Sequence, residues 1–465
     1  MQPFVWAEGA SRKHACCQPG FEGLPEGHAV KVRFYLWVVK SKLLGSSGLM
    51  LAVKLLGAAS AYALAWLVGR GQGPEAYGQF ELGLTVLTMA AMFSRLGLDA
   101  VMVKWLAATQ VDGHVGVQRT LARRASTWVL GASMLFGGWV WWGKTWLGHS
   151  LGGDEGLWTA VACGVPAMAL WGLASEMLRG LGRMASYASV QQGVLTALAV
   201  ASMIVLGLDV VLAFGFALLA MGVVAVVQVA WSLPTASHAA VVPEAYKGRA
   251  MLSTGWPMLL GSAMFLVMSW TDTLLLGHFL NESEVGVYRV AFRLAAVITL
   301  VQAAVNSYAA PWFAERHAVG DDRGLRQALA QTTGLNVAFS LPAFVALAAA
   351  PAWWLGWFGP AFEAGAVCML CLALGQLVNA LCGPVMYLLN MTGHERVAQQ
   401  IVWVSALLNL ALNVWAIPRF GILGAAVSTA ATMVLWNVAA AVAVHKRLGL
   451  SVWAVLRSFA QRNKA

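Results

Sequence analysis

Long apolar runs separated by short polar segments dominate this chain. The first run, SGLMLAVKLLGAASAYALAWLVG at residues 47–69, has no period-2 alternation and one charged residue, Lys54. A helix needs about 20 apolar residues to cross a bilayer, and lipid cannot satisfy open backbone groups, so such runs predict membrane-spanning helices. The twelve predicted spans are 47–69, 80–98, 125–143, 157–174, 187–207, 210–232, 253–279, 287–312, 332–352, 364–389, 398–417 and 421–444. The pattern therefore predicts an all-α, polytopic membrane protein.

Basic residues are unevenly distributed between the loops. When both termini are placed on one side, 23 of the 30 Lys and Arg residues lie there, four lie opposite and three lie within spans. Cytoplasmic loops carry the excess of basic residues in membrane proteins, so both termini are predicted to be cytoplasmic. Residues 1–46, rich in Gly, Pro and charge, predict a disordered leader, and the basic tail 445–465 is expected to lie against anionic headgroups.

The polar segment 233–252 is expected to be a cytoplasmic loop between two six-helix lobes, 47–232 and 253–444. A short repeat with an offset of 208 positions supports this division. Because six is even, both lobes enter the membrane from the same face, which predicts a parallel pseudo-two-fold and a central cleft suited to alternating access. The repeated residues are Gly69, Gly78 and Phe80 in the first half, and Gly277, Gly286 and Tyr288 in the second.

Composition and motifs exclude several classes of protein. Hydrophobic residues make up 59% of the chain and charged residues 11%, against about 25% charged in soluble proteins. The net charge of +10 is not gathered on a soluble basic face, so nucleic-acid binding is not expected. Residues 138–145, GWVWWGKT, match the spelling of a phosphate-binding loop, but their tryptophans fit an interfacial aromatic belt better. Cys368 and Cys371 lie in an apolar span and are expected to pack there, so neither a metal nor a cofactor is predicted.

Four basic residues are candidates for a site inside the membrane. A Lys at the bilayer centre costs about 2.5–3.5 kcal/mol on insertion scales, so Lys54 either faces a hydrated cavity or snorkels to the interface. Arg289 and Arg293 are four residues apart and share one helical face. Arg95 is also four residues from a carboxylate, Asp99, with which it is expected to pair.

Asp272 lies at a similar depth to Arg293 in the preceding span. Two interpretations are open for this carboxylate. It either forms an ion pair with Arg293 that locks adjacent helices, or it lines the cleft and couples transport to an H⁺ or Na⁺ gradient.

Amide side chains within the spans either bridge helices or line a pore. Gln302 and Asn306 are one turn apart and form the polar stripe nearest the basic residues. We therefore expect this stripe to contact substrate.

Three stretches carry a family resemblance. They are AWLVGRGQGPEAYGQFELGLTVLTMAAMFSRLGLDAVMVK at 65–104, TDTLLLGHFLNESEVGVYRVAFRL with Asp272, Gly277, Gly286 and Tyr288, and IPRFGILGAAVSTA with Pro418, Gly421 and Gly424. In the first, Arg70, Gly73, Pro74, Tyr77 and Gly78 form the turn, followed by Gly97 and Asp99. Together they resemble polysaccharide exporters of the multidrug, oligosaccharidyl-lipid and polysaccharide (MOP) superfamily over residues 45–445.

The resemblance implies an O-antigen or capsule-type flippase of the bacterial inner membrane. Its substrate would be an undecaprenyl-diphosphate-linked oligosaccharide, and its other partners would be membrane lipids, a polysaccharide polymerase and a chain-length regulator. Related flippases carry basic residues on their first, second and eighth helices, which implies Lys54, Arg95 and Arg293 as substrate-binding residues.

Two other functions remain open at this point. A drug or cation antiporter of the same superfamily would need a cleft dominated by carboxylates, whereas the first span contributes a lysine. A membrane polysaccharide polymerase or ligase commonly carries a large periplasmic loop, whereas the longest predicted noncytoplasmic loop has about a dozen residues.

Overall fold

The structure is a computed structural model that describes residues 26–111, 115–234 and 248–451. The chain divides into two units, Met1–Met50 and Leu51–Ala465. In the first unit the described residues are helical from Glu26 onward, and residues 1–25 lie outside the described residues. The leader at residues 1–46 stays a prediction.

The described residues form sixteen α-helices and no β-strand. In the first half these are α1 Glu26–Ser94, α2 Leu98–Val111, α3 Gln118–Trp142, α4 Lys144–Leu151, α5 Glu155–Gly180, α6 Met184–Ser189, α7 Gln192–Leu206 and α8 Val210–Ser232. In the second half they are α9 Gly248–Phe279, α10 Glu282–Ala296, α11 Leu300–Ala318, α12 Asp322–Ala349, α13 Pro351–Gly356, α14 Ala366–Cys382, α15 Val385–Met391 and α16 Glu395–Leu448. The predicted all-α class is confirmed.

Seven helices among the described residues are long and apolar enough to cross a membrane. Two of them are interrupted by a glycine with positive φ, Gly73 (86°) in α1 and Gly421 (56°) in α16. A straight helix of 54 residues, the length of α16, would extend about 80 Å, far beyond a hydrocarbon core of about 30 Å. Each interrupted helix therefore provides two crossings. The remaining predicted spans fall on α3, α9 and the pair α10–α11, while the arrangement in two six-helix lobes stays a prediction.

Glycines bring α1 and α10 into direct contact. A Cβ added at Gly78 would overlap the carbonyl oxygen of Glu282, and one added at Gly286 would overlap that of Pro74. These contacts are reciprocal, because Gly286 and Glu282 lie 208 positions after Gly78 and Pro74, which is the offset of the sequence repeat. Reciprocal contacts of this kind arise where a two-fold axis passes between two equivalent segments.

The surface of the bundle is apolar and its interior contains the polar residues. Trp142 is 88% exposed and Val205 is 78% exposed, whereas Glu81, Asn336 and Asn413 are buried. This distribution suits a surface solvated by lipid. Exposed tryptophans gather where α3 meets α4, and there Lys144 bonds Glu155 at 2.9 Å, as expected of an interfacial belt and not of a phosphate-binding loop.

Candidate functional site

A buried carboxylate, Glu81 on α1, is the centre of the site. One of its oxygens, Oε1, accepts from the Tyr77 hydroxyl at 2.6 Å and from Arg293 Nη2 at 2.8 Å. The other, Oε2, accepts from Arg289 Nε at 2.9 Å and Nη2 at 2.8 Å. We call Tyr77, Glu81, Arg289 and Arg293 the Glu81–arginine cluster. It holds two guanidinium groups on one carboxylate and so has one positive charge in excess.

Helix geometry explains why these side chains meet. Tyr77 and Glu81 are four residues apart on α1, and Arg289 and Arg293 are four apart on α10, so each pair shares a helical face. Glu81 and Arg289 are themselves 208 positions apart, which makes them equivalent positions of the repeat. The close approach of α1 and α10 at their glycines therefore places equivalent side chains of opposite charge against each other.

The cluster also ties the first crossing of α1 to α10. Tyr62 donates to the carbonyl oxygen of Arg293 at 2.6 Å, and Arg293 Nη1 donates to the carbonyl oxygen of Ala61. Arg293 therefore bonds both crossings of α1, the first through Ala61 and the second through Glu81.

A cavity of about 340 Å³ adjoins the cluster. Glu81 and Arg289 line it together with Arg95, whose guanidinium lies 3.5 Å from Asp99 as expected. The Arg95 Nε is buried and has no hydrogen-bond partner. The cavity thus has two arginines on its wall.

Lys54 lies at a neighbouring cavity of about 260 Å³. Gln192 lines both this cavity and the one that contains Arg95 and Arg289. The structure therefore brings Arg289 and Arg293 to Glu81, places Arg95 on the wall of the cavity that Glu81 and Arg289 line, and places Lys54 at the adjoining cavity.

Asp272 lies in a different environment from the one expected. Its Oδ2 accepts from the Tyr288 hydroxyl at 2.8 Å and the Thr429 hydroxyl at 2.6 Å, and its Oδ1 accepts from Asn413 Nδ2 at 2.7 Å. We call Asp272, Tyr288, Asn413 and Thr429 the Asp272 cluster. The predicted Asp272–Arg293 ion pair is therefore wrong, because Arg293 bonds Glu81.

The reason lies in the helical rotation of α10. Tyr288 and Arg289 are adjacent in sequence, so their side chains leave the helix about 100° apart. Tyr288 faces α9 and α16, where it reaches Asp272 and Thr429, while Arg289 faces α1. The expected Asp272–Arg293 pair was based on similar depth in the membrane. Depth does not determine the direction in which a side chain leaves its helix.

Sequence analysis missed Glu81, although the signal was present. The residue interrupts the apolar run FELGLTVLTMAAMF of the second predicted span, where any charge needs a partner. Only basic residues and Asp272 were weighed there.

Gln302 and Asn306 lie away from the arginines. They line a separate cavity of about 510 Å³ formed with α14, α15 and α16. The other amide stripe, Asn409 and Asn413 on α16, is bonded internally at 3.1 Å and joins the Asp272 cluster. Among the described residues, no three His, Cys, Asp or Glu side chains form a metal-binding group, and Cys368 and Cys371 are free thiols.

Comparison with known proteins shows the family of this chain. The family model described as polysaccharide biosynthesis protein matches residues 44–317, and the MatE model matches residues 257–415. In Haloferax volcanii, the probable low-salt glycan biosynthesis flippase Agl15 is 29% identical over 44% of this chain and 44% of its own length. The probable flippase AglR of the same organism is 31% identical over 38% of each chain. The matched region thus spans less than half of each of these relatives.

Solved structures share the fold at low identity. The inward-facing conformation of a multidrug resistance MATE family transporter of the MOP superfamily has a TM-score of 0.67 and 12% identity, covering 88% of this chain and 98% of that one. The lipid II flippase MurJ in an inward closed conformation has a TM-score of 0.67 and 10% identity, covering 86% and 87%. The fold is therefore the one found in MOP transporters, and the chain belongs to the polysaccharide biosynthesis protein family.

Proposed function

We propose that this protein is a flippase that moves an undecaprenyl-diphosphate-linked oligosaccharide across the bacterial inner membrane by alternating access. The observation that carries the proposal is the pair of arginines that share one buried carboxylate beside a cavity in the membrane. The flippase names of the two Haloferax volcanii relatives support the same activity.

The cluster suits a diphosphate because Glu81 already occupies an anion position. Arginine presents a planar fork of donors that matches carboxylate and phosphate alike. A diphosphate carries more negative charge than one carboxylate, so it competes with Glu81 for Arg289 and Arg293. It is also attracted by the one positive charge that Glu81 leaves unneutralised. Arg95 is a further arginine on the wall of the same cavity, where it pairs with Asp99.

Displacement of Glu81 would also release the contact between α1 and α10. The ion pairs to Arg289 and Arg293 cross between these helices. Substrate binding therefore weakens a tie that holds the two halves of the repeat together, which supplies the free-energy difference that a change of access requires. Cytoplasmic termini, inferred from the basic loops, would place substrate entry on the cytoplasmic side.

We infer that the Asp272 cluster is the ion-coupling site. The carboxylate is buried among neutral donors, and the Asn413 carboxamide oxygen beside it has no hydrogen-bond partner. An ionised carboxylate in such surroundings gains from a proton or a small cation. H⁺ and Na⁺ are the two candidates, and the gradient of either would drive the cycle.

The proposed function is tested by flipping in proteoliposomes. The purified protein is reconstituted with a fluorescent undecaprenyl-diphosphate disaccharide, and transfer between leaflets is followed by quenching of the outer-leaflet dye. We expect transfer by the native protein and loss of at least about 100-fold in Arg293→Ala. Arg419→Ala, which removes an exposed arginine bonded to the Trp415 carbonyl, is the matched control and should retain activity.

The same assay separates the alternative activities. Transport of organic cations without transfer of the lipid-linked sugar would favour a drug or cation antiporter, which the positive excess at the cavity does not favour. Equal transfer by native protein and Arg293→Ala would refute the role assigned to the cluster. Replacement of the undecaprenyl chain by a shorter polyprenyl chain reports whether the carrier itself is recognised.

Complementation in cells tests the role of Lys54 and the proposed protein partners. Lys54→Ala should reduce surface glycan while the protein remains in the membrane, because its cavity adjoins the one with Arg95 and Arg289. Crosslinking in membranes should recover a polysaccharide polymerase or a chain-length regulator. Normal glycan in Lys54→Ala would remove this residue from the site.

A further inference from the structure

The cavity in the second half of the chain has an unusual lining for a membrane protein. Five carboxamide side chains contribute to it, from Gln302, Asn306, Asn379, Asn390 and Asn437. The residues described as lining it carry no charge. We call this space the amide cavity. Its volume of about 510 Å³ lies within the range of roughly 300–1,000 Å³ that is typical of small-molecule sites.

Two of these carboxamides have oxygens without a partner. Gln302 is 6% exposed and Asn306 is 9% exposed, yet Gln302 Oε1 and Asn306 Oδ1 make no hydrogen bond. The two residues are one turn apart on α11, so they lie on the same helical face and line the cavity together. Leaving a buried carboxamide oxygen unpaired costs free energy. A ligand with hydrogen-bond donors would remove this cost.

The neighbouring amides behave differently. Gln376 Oε1 accepts from the Thr299 hydroxyl at 3.2 Å, and Asn437 Nδ2 donates to the Met433 carbonyl oxygen at 2.8 Å. These bonds hold the wall of the cavity in place. Unpaired carboxamide oxygens also occur at Gln228, Asn336 and Asn413, so what distinguishes Gln302 and Asn306 is that both line the amide cavity.

Aromatic side chains complete the wall. Tyr387 on α15 and Trp436 on α16 line the amide cavity together with the carboxamides. Carboxamides both donate and accept hydrogen bonds, as sugar hydroxyls do. Aromatic faces provide flat apolar surface for the C–H face of a sugar ring. A neutral lining of this kind suits a polyhydroxylated, uncharged ligand.

Other parts of a lipid-linked sugar fit this cavity poorly. A diphosphate would enter without meeting a cation. A hydrocarbon tail would remove five carboxamides from water without offering them hydrogen-bond partners. Sugar hydroxyls can satisfy the buried oxygens of Gln302 and Asn306 once these two side chains rotate toward the cavity.

The position of the amide cavity relative to the arginines supports the assignment. Gln302 follows Arg293 by nine residues, from the last turn of α10 through a 3₁₀ turn at Val297–Thr299 to the first turn of α11, which is roughly 15 Å at a rise of 1.5–2.0 Å per residue. One molecule with an anionic group next to neutral sugars can therefore extend from the cluster to the cavity. We propose that the amide cavity binds the sugar residues of the substrate while the Glu81–arginine cluster binds its phosphate groups. This assignment rests on the proposed function.

Binding of free sugar tests the assignment independently of flipping. The probe is the oligosaccharide released from the host's own lipid carrier by mild acid, which contains neither lipid nor diphosphate. Its affinity for the full-length protein in nanodiscs is measured by calorimetry. We expect the double variant Gln302→Leu/Asn306→Leu to weaken binding by at least about tenfold, because two neutral hydrogen bonds are lost.

Control variants separate the cavity from the rest of the protein. Gln228→Leu removes a half-buried amide of α8, which bonds Ser189 at 3.2 Å, and should leave sugar binding unchanged. Arg293→Ala should also leave sugar binding unchanged while transfer of the lipid-linked substrate is lost. Tyr387→Ala, at a side chain that is 43% exposed, perturbs the wall with little risk to folding and should weaken sugar binding as well.

Two results would overturn the assignment. One is unchanged affinity in both the Gln302→Leu/Asn306→Leu and Tyr387→Ala variants. The other is binding of a neutral glycolipid, such as a digalactosyl diacylglycerol in the nanodisc, with no binding of free oligosaccharide. Absence of flipping in the native protein together with cavity-dependent sugar binding would instead refute the proposed function and retain the sugar site.

Discussion

Two buried carboxylates of this protein have opposite surroundings. Glu81 is 1% exposed in its side chain and is held by two guanidinium groups and one hydroxyl. Asp272 is 4% exposed and is held by two hydroxyls and one carboxamide, all neutral. The first arrangement has an excess positive charge and suits an anion, whereas the second gives its carboxyl no charged hydrogen-bond partner and suits a cation or a proton.

One helix serves both carboxylates. Arg289 and Arg293 of α10 reach Glu81, and Tyr288 of the same helix reaches Asp272. A movement of α10 that loosens one set of contacts therefore acts on the other. Under the proposed function, this shared helix would be the physical route by which binding of an ion and of an anionic substrate influence each other.

Removal of the Glu81 carboxylate should have the largest effect. Glu81→Ala leaves two guanidinium groups in the membrane interior without their counter-ion, and we expect a loss of about 3 kcal/mol in the free energy of unfolding. Thermal unfolding in detergent measures the loss. Glu155→Ala is the control, since its carboxylate is 61% exposed and its pair with Lys144 lies at the interface. Equal stability of the two variants would contradict the role of Glu81.

A charge exchange tests whether the equivalence of Glu81 and Arg289 is real. Each of Glu81→Arg and Arg289→Glu places like charges together, and we expect each to abolish transport. The double variant restores opposite charges at equivalent positions, so it should recover folded protein relative to either single variant. Size-exclusion profiles of a fluorescent fusion provide the measurement. No recovery would indicate that the two positions are not interchangeable.

Neutralisation of Asp272 should lower the free energy of unfolding much less than removal of the Glu81 carboxylate. Asp272→Asn leaves no cation unpaired, and its amide can still bond the Tyr288 and Thr429 hydroxyls, so we expect a loss of about 1 kcal/mol. Gradient-driven transfer should nevertheless disappear in this variant. Transfer is measured with an imposed Na⁺ gradient and, separately, with an imposed H⁺ gradient. Retained dependence on either gradient would contradict the coupling role.

The glycine contact between α1 and α10 should be sensitive to a single methyl group. Gly78→Ala places a Cβ against the Glu282 carbonyl oxygen, and we expect a loss of about 1–3 kcal/mol as the helices separate. Gly131→Ala, on α3, is the matched control because nothing lies within 4 Å of its added Cβ. The control should be neutral or slightly more stable than the native protein. A neutral Gly78→Ala would contradict the close crossing.

An exposed carboxylate–arginine pair should show the smallest effect. Asp321, between α11 and α12, accepts from the Gly324 backbone N–H and from Arg316 Nη1, both at 2.8 Å. These bonds hold the pKa of Asp321 below its ordinary value of 3.8. The stability that they provide is present above pH 4 and is lost as the pH falls through the lowered pKa.

Asp321→Asn keeps a helix-capping side chain and removes only the charge. Its thermal midpoint should fall slightly below that of the native protein at pH 7, and the difference should be smaller at pH 3. Stability measured at both pH values tests the direction. A loss of stability as large as that in Glu81→Ala would show that burial does not explain the difference in stability between the Asp321–Arg316 pair and the Glu81–arginine cluster.

The apolar pattern of the sequence was enough to predict an all-α membrane protein and most of its helices. A run such as 210–232 has few alternatives in lipid, because only a helix satisfies its own backbone there. Local spacing also predicted the Arg95–Asp99 pair and the shared face of Arg289 and Arg293, since i and i+4 residues are neighbours on any helix.

Only the tertiary structure decided which side chains of distant helices bond each other. The sequence placed Asp272, Glu81 and Arg293 inside the membrane, but rotation about each helix axis decides which of them meet. That rotation is set by close contacts such as the one between Gly78 and Gly286, and it directs the arginines to Glu81 and Tyr288 to Asp272. Length and hydrophobicity specify that a helix forms, because the backbone responds to its local solvent, whereas long-range pairing depends on packing that no single segment contains.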